Sequence, residues 1–324
     1  MSKIVIHIGT HKTATTTIQD MFWANAELLA EHGLIYPQLG RHTGHHGLVL
    51  DWQGMPGHYK LEQGSLEALA ETYGQSDKTV FLSSEEFSRR QPLASLGKVR
   101  AALEGFDEIE VICTLRTQWQ FLQSIYLEVS KTRVPPRPPQ LVLPVIENGS
   151  FEGLWVDYNR LLDALEAVFA PEEITFFDFD TSRRAEGGII GTLLRHLGIG
   201  VDAARLEVVN DGASNVSPMS LASWTANILA EPKPAPAWLV QNASEALKAE
   251  FGDEVKPCLF TREEFRRLKD HYDTRNAELS ERRAGVQPEF AISEASQKGL
   301  TLFRNEIPSA YWVRMSRRLV ADRL

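Results

Sequence analysis

Apolar and polar positions follow two alternating rhythms over the first two hundred residues. Short runs at Lys3–Ile8, Thr79–Ser83, Ile109–Leu115 and Glu173–Phe179 are rich in β-branched and aromatic residues with few polar interruptions. That is the pattern of strands buried on both faces of a parallel sheet. Between them, apolar residues recur at helical spacing. One helix is predicted from about Thr16, with Ile18, Met21, Phe22 and Leu28 for its buried face. Others are predicted from near Gln118 through Phe121, Ile125 and Leu127, over Tyr158–Phe169, and over Gly188–Leu197 closed by Gly198. Strands alternating with helices predict an α/β fold, a parallel sheet covered by helices on both faces. Past about residue 200 the pattern turns helical, over 218–229, 238–251 and 261–283, the last with Phe265, Leu268, Tyr272 and Leu279 on one face. The expectation is one domain over residues 1–324, with an α/β core to about 200 and a mainly helical part after it.

Several segments break the rhythm. Leu39–Tyr59 gathers His42, His45, His46 and His58 around glycines. No second ligand pattern accompanies them, so a metal site is not expected; a wall of a substrate pocket or a solvated loop remains, with His45 or His46 able to take up a proton near neutral pH. Arg133–Pro139 is proline-rich and predicts an extended strap, either a lid with Arg133 and Arg137 facing an anion or a stiff connector. Asn210–Ser217 is a polar turn segment, and Glu231–Ala237 reads as a stiff linker. The final segment from Tyr311 is basic with apolar interruptions, suited to docking on the core, pairing with a second copy as a homodimer, or touching a membrane surface, in that order.

Chemistry concentrates where the first strand ends. After Gly9 come Thr10, His11, Lys12, Thr13, Ala14, Thr15, Thr16 and Thr17, and then the helix. A strand, a tight turn and a helix N-terminus form an anion site: backbone N–H groups converge, the helix dipole adds positive potential, and Lys12 adds a full charge. The hydroxyls of Thr13, Thr15, Thr16 and Thr17 can donate to oxyanions. The nucleoside-triphosphate motif, which places lysine directly after a second glycine, is not met, because Lys12 stands three residues after Gly9. Two further segments stand near strand ends. Arg116 follows the third strand, with Ser124 eight residues on; Ser83-Ser84-Glu85-Glu86 follows the second. Each has a plain alternative, an arginine paired with a carboxylate or a serine-capped helix start.

The loop resembles the 5′-phosphosulfate loop of sulfotransferases that use 3′-phosphoadenosine 5′-phosphosulfate (PAPS), where a lysine, a small hydroxyl residue, a glycine and paired threonines follow strand one. Ala14 stands where that family has glycine. If the backbone there needs positive φ, alanine costs about 1 kcal/mol more. The resemblance implies a P-loop-like sulfotransferase fold, PAPS as donor and 3′-phosphoadenosine 5′-phosphate (PAP) as product. It implies that Gly9 to Thr17, with Lys12 catalytic, hold the 5′-phosphate and sulfuryl group, and that Arg116 and Ser124 hold the 3′-phosphate. Glu85 is then the base, with Glu86, His45 and His46 as alternatives. Bacterial proteins of this family carry an Asn-x-Ser stretch similar to that of Asn215 and Ser217, which makes those two candidate contacts. The acceptor implied is a hydroxyl or amine of a glycan or small molecule.

Composition narrows the setting. The 324 residues are 43% hydrophobic, enough to bury a large core. Two cysteines, Cys113 and Cys258, allow no disulfide framework. No apolar run reaches the length of a membrane span and no leader pattern precedes the first strand, so a cytoplasmic protein without membrane insertion is expected. A formal net charge of −9 argues against a nucleic-acid surface. Two rival functions stay open: an atypical P-loop kinase using ATP, with Asp178 and Asp180 near a metal, or an inactive module that binds PAP or another nucleotide.

Overall fold

The computed structural model describes residues 1–209, 218–293 and 299–321. Their contacts divide the chain into two compact units. One comprises Met1–Arg116, Gly149–Ser214 and Arg275–Ser293; the other comprises Thr117–Asn148, Asn215–Thr274 and Glu294–Leu324. The expected boundary near residue 200 is therefore too simple. The helix that follows the third long strand belongs to the second unit, and a late segment returns to the first.

The first unit is built on a five-stranded parallel sheet. Its strands are β1 (Lys3–His7), β2 (Leu34–Ile35), β3 (Thr79–Ser83), β4 (Glu108–Leu115) and a last strand, Ile174–Asp178. The spatial order is β2, β3, β1, β4, Ile174–Asp178, so β1 is central. Side-chain parity assigns the two faces, as strand geometry requires. Ile4, Ile6, Val80, Leu82, Val111, Cys113 and Leu115 enter one core with Leu96, Leu161 and Leu165. Val5, Phe81 and Ile112 enter the other, with Ile18 and Phe22 of helix α1 (Thr15–Ala24) and with Ile189 and Leu193. Helices thus cover both faces, and the α/β class read from the sequence is observed. Helix α1 ends at Ala24, and Leu28 lies on a separate helix, Ala26–Glu31, not on the face assigned to it.

The last strand is an edge, and side chains rather than a sixth strand cover it. Gln287 accepts from the Phe176 N–H at 3.0 Å and donates to its carbonyl at 3.2 Å. Arg283, 1% exposed, donates to the carbonyls of Pro171 and Ile174 at 3.0 and 2.5 Å. This explains why a segment from the late chain rejoins the first unit.

The second unit is mainly helical. Ala222, Ala226, Ala243 and Ala246, all fully buried, line the contact of helices Ser220–Ala230 and Ala237–Phe251, where small side chains let the backbones approach. Helix Ser309–Ala321 docks on this core through Tyr311 and Met315, with Arg314 on Glu250 at 3.0 Å and Arg318 on Glu245 at 2.7 Å. Of the three roles open to it, packing on its own unit is the one observed. The proline-rich segment is non-helical only as far as Arg137, and of its two expected roles the lid is not supported at Arg137. A helix runs over Pro138–Asn148, proline being well suited to a first turn, and Arg137 pairs with Glu231 at 2.6 Å instead of awaiting an anion. Among the described residues no helix is long and apolar enough to cross a membrane.

One charged cluster sits at the opposite end of β1 from the candidate loop. Glu110 is 8% exposed and meets Lys3 at 2.7 Å, His196 at 2.6 Å and Thr175 at 2.6 Å. Burial pushes its carboxyl up, but the hydrogen bonds from His196, Lys3 and Thr175 outweigh burial and hold it down at about 2. A depressed carboxyl stabilises the fold above its ordinary value near 4.5, and that share is lost as pH falls toward 2. We expect about 3 kcal/mol from this source. Denaturant unfolding of Glu110→Gln should show a flatter stability profile between pH 4.5 and 2 than wild type; an unchanged slope would contradict the account.

Candidate active site

From β1 the chain goes to β2 and β3 on one side and then crosses to β4 on the other, so the switch point lies between β1 and β4 at their carboxyl ends. In open α/β sheets that crevice is where ligands bind. The residues after β1 are stitched to both neighbours. Ile8 N–H donates to Ile112 O at 2.8 Å and Thr10 N–H to Thr114 O at 3.1 Å, while Ser84 N–H donates to His7 O at 3.0 Å.

The loop itself is strained. Lys12 has φ +64° and Ala14 φ +62°, ψ +24°, the left-handed region that non-glycine residues enter at about 1–2 kcal/mol each. Ala14 caps α1 without a side-chain hydrogen bond. A left-handed residue followed by helix turns successive N–H groups to one side, which makes an anion-binding nest. At this positive φ a glycine in place of Ala14 would escape that cost. Gly9 permits a close approach: a Cβ there would lie a tight 3.1 Å from the His7 ring and 3.1 Å from Thr15 Oγ1.

The threonines divide by environment. Thr10 and Thr13 donate their hydroxyl protons inward, to Thr114 O at 3.0 Å and Thr10 O at 2.5 Å, so the Thr13 hydroxyl is not the oxyanion donor expected of it. Thr16 is exposed and Thr17 half-buried. Among the described residues Thr15 Oγ1 is buried without a hydrogen-bond partner, and so are His7 Nε2, His11 Nδ1 and Thr114 Oγ1. Buried polar atoms normally find partners, and these four belong to the end of β1, the loop and the residue of β4 that holds it.

Arg116 leaves the end of β4 and donates to Lys12 O at 3.1 Å, its guanidinium lying 5.0 Å from the Phe179 ring centre. Burial pushes its value down, opposed by the nearby charge of Asp180. Ser124 lies on helix Gln118–Val129 in the second unit. Asn215 and Ser217 lie outside the described residues.

Beyond β3 the chain makes a short turn, Glu85–Ser88, capped by Ser84. The two carboxylates there are in different company. Glu86 meets His11 at 3.2 Å and Arg89 at 3.4 Å. Burial pushes its carboxyl up, but His11 first and then Arg89 and His46 outweigh it and hold it low. A carboxylate so paired is a poor proton acceptor. Glu85 instead accepts from Gln19 Nε2 at 3.2 Å, and its charge reaches His7, Tyr36, His42, His46 and Tyr59.

His45 is corrected as a candidate base. Its Nε2–H donates to Pro37 O at 2.8 Å and its Nδ1 accepts from Ser83 N–H at 3.0 Å, leaving no lone pair for a proton. Burial lowers it to about 4. His46 bonds Ser84 Oγ at 2.7 Å and packs against Tyr59, 4.5 Å between ring centres, and His42, 4.7 Å. Among the described residues no group of three or more His, Cys, Asp or Glu side chains is arranged to hold a metal ion. Asp178, invoked for a kinase, caps the helix after its strand, accepting from Thr181 N–H at 2.8 Å, Thr181 Oγ1 at 2.7 Å and Ser293 Oγ at 2.5 Å.

Two features of the site escaped the sequence. His7 ends an otherwise apolar strand, and Gln19 breaks the apolar face of α1. A polar residue at a position assigned to the core was the signal available for both.

No protein-family model matches the chain, and no curated protein matches its sequence. Among solved structures it is similar to a sulfotransferase from Alicyclobacillus acidocaldarius, at 15% identity and a TM-score of 0.41, over 64% of this chain and 86% of that one. At that level the likeness carries no functional argument.

The strain at position 14 is testable without a ligand. Ala14→Gly removes the Cβ penalty and returns some chain entropy to the unfolded state, so thermal unfolding should show stability unchanged or raised by up to about 1 kcal/mol. A loss of more than that would contradict the left-handed turn.

Proposed function

We propose that this chain is a sulfotransferase that moves a sulfuryl group from PAPS to a hydroxyl or amine of a glycan or small molecule. The observation that carries the proposal is the loop after β1: left-handed Lys12 and Ala14, an uncapped helix start, and unpartnered buried polar atoms around it. A donor with a phosphosulfate end would give these groups their missing partners. The backbone from Thr10 to Thr16 and the Thr15 hydroxyl hold the 5′-phosphate and sulfuryl oxygens. Arg116, at the switch point, suits a second phosphate through its planar fork. Ser124 is carried by the other unit, and the case for the 3′-phosphate rests on Arg116.

In the transfer, the acceptor oxygen or nitrogen forms a bond to sulfur while the bond from sulfur to the bridging oxygen breaks. That oxygen stays on the 5′-phosphate, giving PAP, and the acceptor proton passes to Glu85. Negative charge gathers on the leaving oxygen, and Lys12 opposes it more strongly in the transition state than in the ground state. The acceptor proton requires a group in reach with an open lone pair. Glu85 fits that role better than Glu86, held by His11 and Arg89, or His45, held by backbone.

The test is conversion of PAPS to PAP with a panel of alcohols, sugars and amines. Lys12→Ala should lower turnover about 10²-fold or more. Glu85→Gln should keep PAP binding and lose transfer. Near-normal turnover in Lys12→Ala would overturn the mechanism, and normal transfer in Glu85→Gln would move the proton to another group.

A further inference from the structure

Gln19 is a polar side chain on the buried face of α1, 1% exposed between Ile18 and Met21. Its Nε2 donates to Ser83 O at 3.3 Å, Ser83 Oγ at 3.4 Å and Glu85 Oε2 at 3.2 Å. Ser83 ends β3 and Glu85 opens the turn after it, so one carboxamide fixes both to α1. A second element presses on it from behind. A Cβ on Gly44 would fall 2.6 Å from the Gln19 carboxamide, so a side chain there would push the carboxamide out of its place. The loop is fastened at the neighbouring position, Thr43 Oγ1 donating to Asp20 at 2.7 Å and Tyr36 OH to Thr43 O at 2.7 Å, so the Asp20 carboxylate is a second acid whose charge reaches Tyr36 and His42 beside that of Glu85.

Gln19 stands four residues after Thr15, one turn further along the helix whose N-terminus carries the anion loop. We propose that Gln19 is a positioning residue that sets the orientation of the Glu85 carboxylate relative to the anion loop, so that loop and base keep one geometry during transfer. This rests on the role given to Glu85 above. The groups around Glu85 are His7 from β1, Tyr36, His42 and His46 from the segment after β2, and Tyr59; none of them replaces the Gln19 contact, because His7 bonds Ser83 Oγ, His46 bonds Ser84 Oγ and Tyr36 bonds Thr43 O.

Three variants of the full chain test this: Gln19→Met, close in shape without donors; Gln19→Glu, which sets a second carboxylate against the first; and Gly44→Ala, which displaces the carboxamide without touching it chemically. Binding is read by PAP titration and turnover by release of PAP from PAPS with water as acceptor. Gln19→Met and Gly44→Ala should bind PAP within about twofold of wild type and lower kcat about tenfold, the effect of losing one hydrogen bond to a charged group. Gln19→Glu should move the acid limb of the pH–rate profile to higher pH, since two touching carboxylates resist ionising together. Independently of turnover, the side-chain amide resonances of Gln19 should shift in Glu85→Gln. Wild-type kcat in both Gln19→Met and Gly44→Ala, or unmoved resonances, would overturn the proposal. A wild-type protein that neither binds PAP nor turns over PAPS would instead overturn the sulfotransferase reading, and this role with it.

Discussion

The turn from β1 into α1 holds Lys12 and Ala14 in left-handed conformations that neither residue prefers. Two strained residues two positions apart persist only where the surroundings over-determine them. Here the determinants are visible: backbone bonds to β4 at Thr10 and to β3 at Ser84, the close fit of His7 and Thr15 against Gly9, and the Arg116 contact on Lys12 O. The rest of the site hangs from that turn. It directs the first N–H groups of α1 outward, sets Lys12 at the switch point of the sheet, and places Gln19 one helical turn below.

The electrostatics follow the same geometry. Basic groups, Lys12 and Arg116, gather at the β1–β4 crevice, while the carboxylates lie past β3 on the other side of the loop. The two carboxylates are not equivalent. Glu86 is held low against His11 and Arg89, which fastens the loop to the β3 turn, and Glu85 is held by a neutral amide alone among the hydrogen bonds at its side chain that define the site. Neighbouring acids in unlike surroundings take unlike roles, one structural and one suited to accept a proton. Of the histidines that crowd the segment from His42 to His58, His45 frames this corner, both its ring nitrogens being engaged by backbone.

Four of the five strands of the sheet were legible to within a residue or so because burial on both faces leaves an apolar run, and the helix starts near Thr15 and Gln118 followed from periodicity; the two-residue strand Leu34–Ile35 is too short to leave such a run and was missed. The strain at Ala14 was foreseen as a condition, since only positive φ gives that alanine a cost. What the sequence hid depends on side chains meeting across the fold. Nothing local distinguishes His45, which bridges Pro37 and Ser83, from His46, or Thr13, which bonds its own loop, from Thr15. The Arg137–Glu231 pair, 94 residues apart, turned an expected lid residue into a tether. The return of Arg275–Ser293 to cover the edge strand was invisible because that segment looks like a solvated charged helix, and only Arg283, buried on carbonyls, shows otherwise.

In the proposed reaction the loop after β1 and Arg116 together receive a nucleotide with phosphates at both the 5′ and 3′ positions. Calorimetric titration with PAP, set against ATP with Mg²⁺ and against adenosine 5′-monophosphate, on wild type and Arg116→Ala, tests it most directly. The account predicts micromolar binding of PAP, much weaker binding of the other two, and a loss of at least tenfold for PAP in Arg116→Ala, as expected when a charge-assisted pair to phosphate is removed. Preference for ATP with Mg²⁺, or no binding of PAP, would contradict it.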